Sequence, residues 1–228
     1  MARSGVLSLR LNAMHTKQLS IATLSLACVF PQSSNAVEVY VGAGTTGLEL
    51  GMSQALSDAI VARLDYNALK ITRSFTTQHI DYDAQLKSSN VGAYLDYFLV
   101  GGFRLTGGAL IGKRNIHGAA RSVGGTITLG GVVYPTSASD TLDFDAKYPT
   151  TTPYVGIGYG HHVQTPGLHV YADAGVAYGR PKVTLSPSAS LAAKVNASDL
   201  ASEEASAQDQ ADGLRAYPVL KLGINYRF

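Results

Sequence analysis

The strongest constraint on the fold lies in the last twelve residues, Tyr217-Pro-Val-Leu-Lys-Leu-Gly-Ile-Asn-Tyr-Arg-Phe228. Side chains of an extended strand alternate with a period of two, so Phe228, Tyr226, Ile224, Leu222 and Leu220 share one face, and Arg227, Asn225, Gly223 and Lys221 share the other. One face suits hydrocarbon and the other suits water. The same alternation recurs along most of the chain from Val37, with no apolar stretch there approaching the roughly 20 residues of a membrane helix. A chain of this pattern that crosses a membrane must close into a barrel, because every backbone polar group in lipid needs a partner. A soluble β-sandwich is the competing solution.

The first 36 residues read as a cleaved signal peptide, which leaves residues 37–228 as the barrel domain. Arg10 and Lys17 precede a short apolar run over 19–30, and Ser34-Asn-Ala36 offers small residues for cleavage. A start at Met14 would give this segment a more ordinary length. Cys28, the single cysteine, lies within it, and Leu24-Ser-Leu-Ala-Cys28 has Ser25 and Leu26 in the reverse of the usual lipoprotein order. Cleavage after Ala36 leaves no thiol and so no disulfide. It also removes Arg3, Arg10 and Lys17 but no acid, taking the net charge from +2 to −1. Nothing in that balance points to nucleic acid.

Short polar or glycine turns at 55–58, 99–102 and 164–167 alternate with longer irregular stretches near 71–79, 116–141 and 186–213. This layout predicts an all-β, eight-stranded antiparallel transmembrane β-barrel with short periplasmic turns and long outer loops. Residues 37–53 divide at Thr45-Thr46-Gly47 into two strands, with one long strand as the other reading. In the fourth strand, Val91, Ala93, Leu95 and Tyr97 point outward, but Ile80, Tyr82, Ala84 and Leu86 have the opposite parity, which predicts a bulge near Ser88 or Ser89. From about 190 to 212 the alternation gives way to Ala, Glu, Gln and Asp, so a short helix is expected in the last outer loop, with Gly213 as its C-cap. It carries Asp199, Glu203, Glu204, Asp209 and Asp212. These acids suit either a solvated helix or a site for a divalent cation or a partner.

Two motifs imitate chemistry. Gly42-Ala-Gly44-Thr-Thr-Gly47 has the spacing of a dinucleotide fingerprint, but the mechanism needs a helix to start at that loop, and Leu48-Glu-Leu-Gly-Met continues as a strand. His161-His162 and His169 flank the turn at 164–167 with no cysteine or nearby carboxylate to complete a ligand set. No arrangement of His with Ser or with paired acids is found, so no catalytic residue, metal or cofactor is expected. Asn196-Ala-Ser198 matches a glycosylation acceptor without meaning in this compartment.

The inward positions are more informative. Glu38, Glu49, Asp65, Asp96 and Asp173 point into the barrel, as do Arg63, Arg104, Lys221 and Arg227. An eight-stranded barrel has an interior just wide enough for side chains, so these charges must pair, and nearly equal numbers of both signs predict a plugged, salt-bridged core. At the outer strand ends, Lys70, Arg73, Lys113, Arg114, Arg180 and Lys182 sit where lipopolysaccharide phosphates would lie, or serve only to keep the rim soluble.

Lys221, Gly223, Tyr226 and Phe228, in that order at a carboxy-terminus, resemble the C-terminal signal of bacterial outer-membrane barrels, which the barrel-assembly machinery reads in that family. Pro153-Tyr-Val-Gly-Ile-Gly-Tyr-Gly160 and Tyr217-Pro-Val-Leu resemble the small barrels related to the OmpA transmembrane domain. The resemblance implies an integral protein of the cell outer membrane, in a family of structural proteins, adhesins and a few enzymes. With no catalytic arrangement found, a structural or surface-interaction role is expected and not an enzyme. The oligomeric state is open, with a monomer favoured. A narrow porin-like channel for small solutes is the alternative reading, and an outer-membrane lipid hydrolase the third.

Overall fold

Each strand of a barrel needs a hydrogen-bonded neighbour on both edges, and this chain closes its ring by pairing its last strand with its first. The structure, a computed structural model, describes residues 37–77, 80–122, 125–161 and 166–228, so the expected signal peptide, His162 and most of the turn at 164–167 lie outside the described residues. In chain order the elements are β1 (Val37–Gly44), β2 (Gly47–Ala55), β3 (Ile60–Thr77), β4 (Ile80–Val100), β5 (Phe103–Ser122), β6 (Gly125–Leu129), β7 (Val132–Thr136), β8 (Thr141–Lys147), β9 (Thr151–Tyr159), β10 (Gly167–Tyr178), β11 (Lys182–Pro187), α1 (Ala189–Ala192), α2 (Ala197–Asp212) and β12 (Ala216–Arg227). Antiparallel pairing runs β1-β2-β3-β4-β5-β9-β10-β12 and returns to β1, with Val41 opposite Ile224, so eight strands form a closed ring. Residues 37–53 are two strands, joined by the tight turn at Thr45 and Thr46.

The period-two pattern sorts the ring into two faces. Outward stand Leu48 and Leu50 on β2, Leu64 and Tyr66 on β3, Leu95 and Tyr97 on β4, Val155 and Ile157 on β9, and Leu220 and Leu222 on β12, all exposed. Leaving one such side chain in water costs about 1.5–3 kcal/mol relative to burying it. A band of them around the ring therefore needs an apolar surround. Aromatic residues border the band at the end where β1 starts and β12 finishes: Phe103 meets Tyr159 edge-on with ring centres 5.2 Å apart, and Tyr226 meets Phe228 at 5.1 Å.

At the opposite end β3, β4 and β5 continue past the ring. There β9 has left β5 at Ile111, and β8 takes its place along Asn115–Arg121 and carries β11 on its far edge. The stretches near 71–79 and 116–141 are thus largely strand rather than irregular. The β6–β7 hairpin turns through Gly130 and Gly131, whose φ values of 58° and 82° are those of the two-residue turn that matches strand twist and that glycine adopts without strain. The expected bulge at Ser88 or Ser89 is absent: β4 stays in register with both neighbours from Phe98 upward, and its one irregularity lies between Phe98 and Val100. Tyr82, Ala84 and Leu86 lie on the inner face with Ser88, Asn90 and Tyr94. Beyond the ring that face continues onto β8 and β11 and is covered by α2, so apolar residues belong inside there.

Candidate functional site

The inward charges meet across the lumen. Arg63 on β3 places Nε 2.6 Å from Asp96 Oδ2 on β4 and Nη1 3.1 Å from Asp173 Oδ2 on β10. Around the ring β3 and β10 are four strands apart in either direction, so the Arg63–Asp173 pair lies on a diameter. Arg104 on β5 completes the group: Nε lies 3.3 Å from Asp96 Oδ2, Nη2 donates to Asp173, and Nη1 donates to the Gly160 carbonyl at 2.7 Å. Thr106 donates to Asp96 at 2.7 Å. Inward Gly158 makes room, since a Cβ there would run into both the Asp173 carboxylate and the Arg104 guanidinium.

A second group gathers on Lys221, whose Nζ lies 2.5 Å from Glu49 and 2.7 Å from Asp65 and donates to Tyr94 Oη at 3.3 Å. Asp65 also accepts from Asn67 at 2.5 Å and from the Gly92 backbone N–H at 3.1 Å, and Tyr171 donates to Glu49. Among the described residues the buried inward charges are Arg63, Arg104, Arg114 and Lys221 against Glu38, Glu49, Asp65, Asp96 and Asp173, so acids outnumber bases by one. Arg227 departs from the expected set: it is only half-buried, at the strand end opposite Glu38.

Glu38 instead takes Ser53, which donates to it at 3.2 Å, and His161 Nδ1. This corrects the expectation of histidines at the rim without a carboxylate. His161 is buried, has a positive φ of 64°, and sits between Tyr40 and Tyr171 with ring centres 4.6 and 4.4 Å away. The left-handed backbone after Gly160 turns its ring into the lumen, which no pattern of side-chain types announces. Among the described residues no group of His, Cys, Asp and Glu is placed to hold a metal ion. In the fingerprint-like segment Gly42 and Gly44 are strand residues and Gly47 opens β2, so no helix meets that loop.

The helix is where it was expected; of its acids Asp209 is exposed, and the other four hold neighbouring elements instead of gathering for a cation. Glu204 and Gln208, one turn apart, accept from the backbone N–H groups of Leu185 and Val183 at 3.0 and 2.9 Å, which covers the open edge of β11. Glu203 accepts from Gly130 N–H at 3.0 Å, and Asp199 takes the Tyr134 hydroxyl. Asp212 lies 2.7 Å from Arg180 and 2.6 Å from Arg215, which hold its carboxyl down to about 2, the Arg180 hydrogen bond foremost. Hydrogen bonds, first from Tyr134, hold Asp199 below its ordinary value, and Lys194 at 2.6 Å does the same to buried Asp140. Gly213 ends the helix in a right-handed conformation, with φ −67°.

The rim bases divide. Lys70 and Lys113 are exposed, and register sets Lys70 opposite Lys87, which lies one step diagonally from Lys113. These three lysines cross β3, β4 and β5 just beyond the outward row of Tyr66, Val91 and Ile111. Lys87 was missed because the expected bulge put it on the wrong face. Arg73 and Lys182 are exposed, whereas Arg180 is engaged by Asp212. Arg114 is buried, its guanidinium 3.9 Å from the Tyr217 ring centre and 5.3 Å from that of Tyr148, so it faces two rings instead of a phosphate layer. In the C-terminal set, Lys221 and Gly223 face the lumen while Tyr226 and Phe228 are exposed.

No family model matches the chain, and no curated protein is similar to it. Among solved structures it is similar to CarO of Acinetobacter baumannii, at 19% identity and a TM-score of 0.59 over 85% of this chain and 98% of that one. It is also similar to CarO2 of the same organism, at 18% identity and a TM-score of 0.60 over 86% of this chain and all of that one. These likenesses establish a shared fold.

Proposed function

We propose that this chain is an integral outer-membrane β-barrel with a structural or surface-interaction role, closed inside by its own ion pairs and acting through the layer beyond the ring. The carrying observation is the Arg63–Asp173 pair on a diameter of the lumen, with side chains only 2% and 1% exposed. The apolar band supports embedding in lipid, and the strands do the crossing. The signal-like first 36 residues and the aromatic carboxy-terminus support export to the outer membrane and handling by the barrel-assembly machinery. The lysine row supports contact with lipopolysaccharide phosphates. Ion pairs engage Arg63, Arg104 and Lys221 with Glu49, Asp65, Asp96 and Asp173, and Glu38 and Arg114 are held by Ser53, His161 and two tyrosine rings, which supports a role other than catalysis.

Single-channel recording of the purified protein in planar bilayers tests this reading. The wild type is expected to be silent, and Asp96→Ala or Arg104→Ala to introduce leak. Steady discrete openings in the wild type would make the interior a conduit for small solutes and defeat the proposal.

A further inference from the structure

Beyond the ring, α2 does not close flush on the sheet it covers. Between them lies a cavity of about 590 Å³, open at one side. Small residues on both walls create it: Ala84, Gly118 and Ala120 on β4 and β5 face Ala207 and Ala211 on α2, and none reaches across the gap. Phe144 and Leu185 continue the wall, which is mostly carbon. Sites for small organic molecules run to about 300–1,000 Å³ and are mainly apolar with a few placed polar groups. Among the lining residues Glu203 supplies the charged side chain; Asp83 contributes backbone, since its side chain turns to the other face of β4 and accepts from Ser74 at 2.6 Å. Glu203 Oε2 accepts from Gly130 N–H, so the carboxylate is fixed in place by a neutral donor, and among the described residues no basic group pairs with it.

We infer that the cleft between α2 and the β4–β5–β8–β11 sheet is a binding site for a small organic cation, an apolar body of a few rings or alkyl segments bearing one amine. The body would fill the alanine-lined gap, and the ammonium would lie toward Glu203. The site lies outside the ring interior, so it stands whether or not the lumen conducts.

The test uses the purified protein in phosphatidylcholine nanodiscs, titrated with 1-naphthylmethylammonium and, separately, with 1-naphthylacetate, against empty nanodiscs of the same lipid. One saturable site is expected, with the cation preferred about tenfold over the anion, the order of one partly exposed ion pair. Gly118→Leu and Ala207→Phe fill the cavity from opposite walls and should each abolish saturable uptake. A Cβ at Gly118 meets nothing closer than 3.8 Å, so the strand accepts a side chain there. Glu203→Gln keeps an acceptor for Gly130 and should retain binding while reducing the preference to about two- to threefold. Uptake that follows lipid alone, equal affinity for both probes, or a preference unchanged in Glu203→Gln would each overturn the inference.

Discussion

Asp96 shows how single residues hold the lumen closed. Its carboxylate receives two guanidinium groups and the Thr106 hydroxyl while 1% exposed, so removing it strands Arg63 and Arg104 on the same side of the balance. Breaking a buried pair by deleting one partner costs about 3–5 kcal/mol. Asp96→Ala should therefore lower the unfolding free energy in lipid vesicles by that amount, read as a lower urea midpoint at unchanged slope, and Asp96→Asn, which keeps an acceptor, by less. Gly158→Ala should also destabilise, because its Cβ meets two groups already fixed by their own contacts. Parity failed on the upper part of β4, where the expected bulge is absent, and it left buried Arg114 at the rim, but it placed Arg63, Asp96, Arg104 and Asp173 on the inner face. Their pairing could not be read the same way: Arg63 and Asp173 are 110 positions apart, and only ring closure brings β3 opposite β10.

At the scale of elements, α2 illustrates where pattern reading stops. Its existence follows from composition, but its role depends on β8 and β11, short strands in segments whose two faces are both partly covered. Outside lipid the alternation fades, which is also why the ends of β3 and β5 read as irregular. Replacing Glu204 and Gln208 by alanine should free the β11 edge without disturbing the ring. Amide exchange at Val183 and Leu185 should quicken about tenfold, equivalent to roughly one hydrogen bond at each. The same layer should be sensitive to acid. Asp212, Asp199 and Asp140 are depressed in the folded state, so they contribute stability above the ordinary carboxylate range near pH 4 and lose it as pH falls toward about 2. Pepsin should begin to cut within 180–215 across that window while the ring strands stay protected, and Asp212→Asn should shift the onset upward.

For the whole molecule, the proposed outer-membrane setting would make the outward band and the lysine row together set its depth in the bilayer. From Tyr97 to Val91 along β4 the band covers six steps, roughly 20 Å of strand at about 3.3 Å each, and exposed Leu99 and Val100 extend it at the aromatic end. Lys70, Lys87 and Lys113 begin where it ends, which in that setting would be the level of headgroup phosphates. Each base near an anionic surface contributes about 1 kcal/mol, so changing all three to glutamate replaces attraction by repulsion at one patch. The Lys70→Glu, Lys87→Glu, Lys113→Glu triple variant should fold and copurify with several-fold less lipopolysaccharide. Arg114→Glu cannot serve as an equivalent change, because it would strand an acid beneath Tyr148 and Tyr217 and report on stability instead. Lys182→Glu, on β11 and away from the row, is the matching control and should leave lipid content unchanged. If the triple variant retained wild-type lipopolysaccharide, the three lysines would be solubilising residues only, and the aromatic border alone would fix the depth.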